Sequence, residues 1–183
     1  LTSRLLRDLG PVLADIRTID HPIQATMRNA TIPLDSDLRR LNADVHIEIG
    51  RVGLDSGSIT LRLLSLFNSS HAGTVPAFID PIDLSIRKGV VRYDTFRVVI
   101  DDKYVMPFSG RVNLVNRSIN LHTSVPLTGL GYSIKELRGL VDDIDVPLRV
   151  RGTIETPKVD VDPSFDLAKI LQDAALSAIG DAL

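Results

Sequence analysis

The chain has no cysteine and no tryptophan, and only 4% of its 183 residues are aromatic. Without cysteine there is no disulfide, no thiolate nucleophile and no sulfur ligand for a metal. So few rings leave the interior to leucine, isoleucine and valine, within a hydrophobic content of 44%. Long apolar runs are missing too, so no membrane-spanning helix or secretory leader is read in these residues. Charge of one sign is equally scarce. There are 21 basic and 23 acidic residues, a net of −2, and no run of Lys and Arg makes the electrostatic footprint of a nucleic-acid binder. The first residue is leucine, and the chain is read as an excerpt of a longer protein or a processed form, with any targeting segment outside it.

Catalytic signatures are absent as well. There is no GxSxG elbow, phosphate loop or dinucleotide glycine motif. The histidines at 21, 46, 71 and 122 stand at no metal-ligand spacing, and His46 and His122 occupy polar positions of alternating segments, as on a solvated sheet face. Asp142, Asp143 and Asp145, and separately Asp160 and Asp162, lack the Gly-and-Glu spacing of a calcium loop and read as turn and cap residues. Sequons at Asn29, Asn68 and Asn116 matter only in a eukaryotic secretory setting. The expectation is no enzyme, no cofactor and no metal.

What is present is alternation of apolar and polar residues. Residues 79–127 carry it most clearly. Ile82, Leu84 and Ile86 alternate with polar residues up to Lys88-Gly89, and Phe96, Val98 and Ile100 repeat the pattern. Val112 and Leu114 follow, then, after a turn at Val115-Asn116-Arg117, Ile119, Leu121 and Val125. Period two puts these side chains on one face, and the short connections predict an antiparallel meander. Further strands are read at Ile23–Leu34, with a slip of phase that a bulge near Asn29 accommodates, at Ala43–Ile49, at Val146–Ile154 and at Val159–Val161.

Helical spacing marks the ends. Leu5, Leu6, Leu9, Val12, Leu13 and Ile16 form one stripe; Leu167, Ile170, Leu171, Ala174, Ala178 and Ile179 form another after Asp162-Pro163-Ser164. Asp35 or Ser36 is expected to cap a helical turn over 35–41, and a short helix is expected over 133–141; residues 59–67 fit a short helix, the favoured reading, or a buried strand. The fold predicted is mainly β: a curved, twisted antiparallel sheet, partly open as a groove, with amphipathic N- and C-terminal helices. It reads as one domain over 1–183, with a helix in 1–22, the sheet and short helices in 23–162, and a helix in 163–183.

Residues 79–163 resemble the C-terminal region of AsmA-like proteins, bacterial relatives of bridge-like lipid-transfer proteins that include the translocation and assembly module subunit. The resemblance rests on Gly89-Val90-Val91-Arg92-Tyr93-Asp94, Phe108-Ser109-Gly110-Arg111-Val112-Asn113-Leu114, Ser118-Ile119-Asn120-Leu121 and Val125-Pro126-Leu127-Thr128-Gly129. Its most specific piece is the run from Val146 to Lys158, an apolar strand leading into Gly152-Thr153 and Pro157. The resemblance implies a β-groove whose apolar face shelters a phospholipid or other acyl lipid. It also implies the periplasm, in an inner-membrane-anchored envelope protein whose anchor and membrane contacts lie outside this chain. No catalytic residues come with it. Ile82, Leu84, Ile86, Phe96, Val98, Ile100, Val112, Leu114, Ile119, Leu121 and Val125 would then line the groove. The same alternation fits a face covered as an ordinary core, in a structural or protein-interaction module with an envelope protein as partner.

Overall fold

Alternation governs the backbone throughout the residues that the computed structural model describes, which are 16–35, 37–55, 74–127, 144–166, 168–170 and 172. Eleven strands form one open antiparallel sheet. They are β1 (Ile16–Ile19), β2 (Gln24–Thr31), β3 (Asn42–Glu48), β4 (Gly50–Asp55), β5 (Thr74–Ile79) and β6 (Ile82–Arg87), then β7 (Val90–Ile100), β8 (Tyr104–Asn113), β9 (Ser118–Pro126), β10 (Asp145–Thr153) and β11 (Pro157–Val161).

Strand by strand the order looks branched, because β7 pairs with both β5 and β6. The registers remove the branch. β3 runs against β6 from Ala43↔Ile86 to Ile47↔Ile82, and β4 against β5 continues from Gly50↔Ile79 to Asp55↔Thr74 without a slip. β7 meets both in a single register, Leu84↔Tyr93 and Ile79↔Val98. Hence β3–β4 and β5–β6 are each one long bent strand. β1–β2 is a third, slipping by one residue between Ile19↔Val52 and Gln24↔Glu48. The eleven strands reduce to eight ribbons, paired in chain order.

The bend leaves a signature in burial. Leaving glycines aside, buried apolar residues keep an even spacing along each strand except at Ile49 to Val52, Ile79 to Ile82 and Tyr93 to Phe96. A step of three keeps the apolar side inward only where the strand turns a corner. The corner passes through Gly50 (φ 75) and then through Asp80-Pro81, where proline's missing N–H suits a break in the ladder. On β7 it is a bulge that leaves Asp94 and Thr95 exposed, and there it ends. Met106, Phe108 and Val112 of β8 keep one phase. Asp80 clamps the corner: its N–H donates to the Arg97 carbonyl at 3.0 Å, and its carboxylate accepts from Arg97 Nε at 2.6 Å.

Local polar bonds set the turns. Lys88 and Gly89 between β6 and β7 both have positive φ (52 and 73), the geometry whose twist matches a two-residue hairpin. Between β8 and β9, Asn113 Oδ1 accepts from the N–H groups of Val115 and Asn116, and Asn116 Oδ1 accepts from that of Ser118. Asn29 has φ 50 beside a register shift, the bulge that the sequence predicts in β2.

The mainly β class stands, but the flanking helices find no support among the described residues. Residues 16–19, expected as helix, are β1; there Ile16-Arg17-Thr18-Ile19 pairs with β4, and ladder hydrogen bonds outweigh local helical spacing. Helical backbone in 163–183 is described only at 168–170 and 172. Residues 1–15 and the helices expected over 59–67 and 133–141 lie outside the described residues. The helical turn is a 3-10 turn, Leu38–Arg40, and its cap is Asp37, whose carboxylate accepts from the Arg39 N–H. Asp35 instead pairs with Arg40 at 3.0 Å. β4 and β5 were not anticipated, because Gly50, Gly53 and Pro76 interrupt their apolar pattern.

Two glycines separate strain from crowding. An added Cβ at Gly50 meets nothing within 4 Å, so Gly50→Ala should cost only the left-handed backbone penalty, about 1 kcal/mol. At Gly110 (φ 130) it would stand 2.4 Å from the Asn120 carbonyl oxygen, in a backbone region open mainly to glycine. Gly110→Ala should therefore cost about 3 kcal/mol in urea denaturation. Equal losses for the two variants would remove the close approach of β8 and β9 from the account.

Candidate functional site

Antiparallel pairing lines up one residue from each ribbon into rows across the sheet, and successive rows face opposite sides. One row is Met27, Val45, Leu84, Tyr93, Gly110, Leu121, Val150 and Val159. The row beside it is Arg28, Asp44, Ser85, Arg92, Arg111, Asn120, Arg151 and Lys158. The first is apolar from edge to edge, the second polar from edge to edge. The sheet thus has one greasy face and one wet face, each continuous over all eight ribbons.

The residues singled out by alternation fall together on the greasy side. Ile82, Leu84, Ile86, Phe96, Val98, Ile100, Val112, Ile119, Leu121 and Val125 are all at 6% exposure or less, in one cluster. Leu114, in the turn after β8, is partly buried against it. The cluster extends to residues that the sequence reading left out, among them Ile47, Leu54, Ile79, Met106 and Leu148. Alternation at Ala43–Ile49 and Val146–Ile154 already placed Ile47 and Leu148 in strands; joining them to the face required the register. The rings of Phe96 and Phe108, cross-strand partners, stack with centroids 5.7 Å apart, and Tyr93 lies 6.0 Å from Phe96.

No second layer is described over this face: the principal contacts between described elements join neighbouring ribbons. Ile23, Leu41, Ile144 and Phe165, from segments flanking strands, pack against the cluster. One polar atom breaks its uniformity. The Tyr93 hydroxyl is buried with no hydrogen-bond partner, opposite Gly110, which contributes no side chain. Burial pushes this phenol above its ordinary pKa, so it stays a protonated donor.

The wet face is hollow near the corner. A cavity of about 540 Å³ is lined by Thr26, Arg28, Asp44, His46, Asp83, Ser85 and Asp94. Within it His46 Nδ1 lies 2.8 Å from Asp83 Oδ1, its cross-strand partner, and Nε2 lies 3.5 Å from Glu48 Oε1. The hydrogen bond to Asp83 raises the His46 pKa, with Glu48 adding to it. Asp44 is held below the usual carboxylate range by hydrogen bonds from Asn29 and Arg87. At the far edge Asp162 is also lowered, by the backbone N–H and hydroxyl of Ser164 and then by Arg149. These groups pair strands and cap a turn; they do not form a nucleophile, base and orienting acid in sequence.

Among the described residues no group of three or more histidine and carboxylate side chains could hold a metal, and no helix is long and apolar enough to cross a membrane. His122 stands on the wet face away from His46. Of the aspartates read as turn and cap residues, Asp162 accepts from the N–H and hydroxyl of Ser164, Asp145 begins β10, and 142 and 143 lie outside the described residues. Comparison with protein-family models, curated proteins and solved structures finds no match to the chain.

Two measurements follow from this geometry. A raised His46 pKa adds stability that is fully present below the unfolded value near 6.5 and is lost as pH rises through the folded one. His46→Gln should therefore cost more stability at about pH 5 than at about pH 9; an identical loss at both would exclude the charged pair with Asp83. Tyr93→Phe removes a buried hydroxyl that has no partner and should raise stability by about 1 kcal/mol. A clear loss in urea titration would show that the hydroxyl is bonded.

Proposed function

We propose that this chain is a non-enzymatic lipid-binding module, with the apolar side of the sheet sheltering acyl chains. The observation that carries the proposal is the continuity of that side: one apolar row spans every ribbon of a sheet that, among the described residues, is not closed into a barrel. Seven inter-strand steps of about 4.8 Å give roughly 34 Å of face, about twice the ~15 Å depth of one leaflet's hydrocarbon. Burying about sixteen methylenes at roughly 0.8 kcal/mol each is worth on the order of ten kcal/mol. Aliphatic side chains give that stabilisation without fixing the lipid's position. The acyl chain takes the place of whatever part of the chain's own cover it displaces, and the Tyr93 hydroxyl offers a donor to an ester oxygen. The resemblance of residues 79–163 to AsmA-like proteins supports the same reading and suggests the periplasmic side of an anchored envelope protein as its setting.

A specific observation favours a second reading. Ten of the eleven groove candidates are already buried to 6% or less, as in a core that the chain covers by itself. The sheet would then be a structural or assembly module, with its edges or its wet face meeting an envelope protein. β2, exposed along its whole length, is such an edge.

Leu121→Asp distinguishes the two when measured two ways. If the face holds lipid, native mass spectrometry of wild type expressed with phospholipid available shows acyl lipid bound. The variant then loses that lipid and melts close to delipidated wild type. If the face is a self-covered core, the buried charge costs about 3–5 kcal/mol and wild type carries no lipid. That second pair of results would overturn the lipid proposal.

A further inference from the structure

The wet face carries an imbalance that sheet packing does not require. Of the twelve arginines in the described residues, seven form ion pairs: Arg17, Arg40, Arg51, Arg87, Arg97, Arg117 and Arg149. Five have no ion-pair partner among the described residues, and four of those five, Arg28, Arg92, Arg111 and Arg151, stand in the same cross-strand row. Towards β2 the row is neutralised by Asp44. From β7 to β11 it reads Arg92, Arg111, Asn120, Arg151, Lys158, with no carboxylate.

Arg92 and Arg111 face each other directly across β7 and β8. Like charges in that position repel, and exposed sheets ordinarily avoid or neutralise them. Two further observations mark the spot. Hollows of about 390 Å³ and about 370 Å³ lie side by side there, sharing Arg111 and Asn120; His122 and Asp94 also line the larger. The Asn120 side-chain oxygen, between Arg111 and Arg151 in the row, is buried and receives no hydrogen bond. Guanidinium groups a strand apart suit the oxygens of a phosphate, which Arg binds through its planar fork. An unmatched amide oxygen beside them calls for a hydroxyl donor.

We infer that the row Arg92–Arg111–Asn120–Arg151 is a binding site for a phosphate group carried on a hydroxyl-bearing body, a phosphorylated polyol. The phosphate sits between Arg92 and Arg111 and relieves their repulsion, and a hydroxyl of the polyol donates to Asn120. Lys158 extends the positive row, and Asp94 at the rim disfavours more highly charged polyanions. The site is on the opposite side of the sheet from the apolar face, so it stands or falls independently of lipid sheltering. The same chemistry occurs in free glycerol phosphate and in the headgroup of phosphatidylglycerol.

The test is thermal unfolding of the whole chain at low ionic strength with glycerol 3-phosphate, inorganic phosphate or potassium chloride at matched ionic strength. Glycerol 3-phosphate at about ten times its dissociation constant should raise Tm by about 3 °C more than chloride does, and inorganic phosphate by less. The variant R92Q/R111Q should fold, melt no lower than wild type without ligand, and respond to glycerol 3-phosphate only as to chloride. Asn120→Leu should erase the advantage of glycerol 3-phosphate over inorganic phosphate. Should the double variant fail to fold, titration calorimetry of wild type with glycerol 3-phosphate decides in its place. Sedimentation with phosphatidylglycerol vesicles against phosphatidylcholine vesicles then assigns the source: capture that the double variant loses points to a headgroup, and binding of only the soluble phosphate points to a solute. Equal Tm shifts from chloride and glycerol 3-phosphate, or no heat of binding, would overturn the inference.

Discussion

Keeping one side dry while bending is the constraint on which this sheet depends. A flat eight-ribbon sheet of strict alternation would hold its apolar side in one plane, where much of it meets water. Three adjacent long strands instead change phase together, at Ile49–Val52, Ile79–Ile82 and Tyr93–Phe96, and the bulge at Asp94 and Thr95 absorbs the change before β8. Because the registers stay constant across the corner, cross-strand partners remain partners on both sides of it. The corner therefore turns the sheet without breaking its rows, and both continuous faces follow from that.

Legibility in the sequence tracked how regular each segment is. β6, β9 and β10 alternate cleanly, so their faces could be read directly, as could Val112 in β8 and the bulge at Asn29. Where the corner passes, alternation fails for a physical reason. Gly50 and Gly53 carry no side chain to show a phase, and Pro76 and Pro81 interrupt the period in β5 and just before β6. β1 was hidden differently: Ile16 continues the helical spacing of the residues before it, and only pairing with β4 makes it a strand. Rows are invisible to any reading of one chain segment at a time. Arg92 and Arg111 are nineteen positions apart, and nothing local marks them as neighbours; a register between β7 and β8 does. The same holds for the His46–Asp83 pair, thirty-seven positions apart.

The two faces impose different demands on substitution. On the apolar side, Val98, Ile100 and Val112 are fully enclosed, so volume and the absence of charge matter more than identity. On the wet side many charges are paired between ribbons, as with Arg17 and Asp55 or Arg87 and Asp44, and exposed pairs of this kind contribute little energy each. Their value lies more in fixing register, since a slip by one residue would turn every apolar side chain to water. Unpaired arginines concentrated in one row depart from that scheme.

Reducing eleven strands to eight ribbons in chain order has a consequence for how such a molecule assembles and changes length. Each ribbon is bonded only to its predecessor and successor, so the sheet behaves as a quasi-one-dimensional array with nearest-neighbour cooperativity. Growth can start at the tight β6–β7 hairpin and spread outward, with the costlier closures met only where the connections lengthen, after β4 and after β9. For the same reason a hairpin inserted beyond the corner would lengthen both faces by two rungs without rethreading any strand. The architecture is extensible, and its span is set by the number of hairpins.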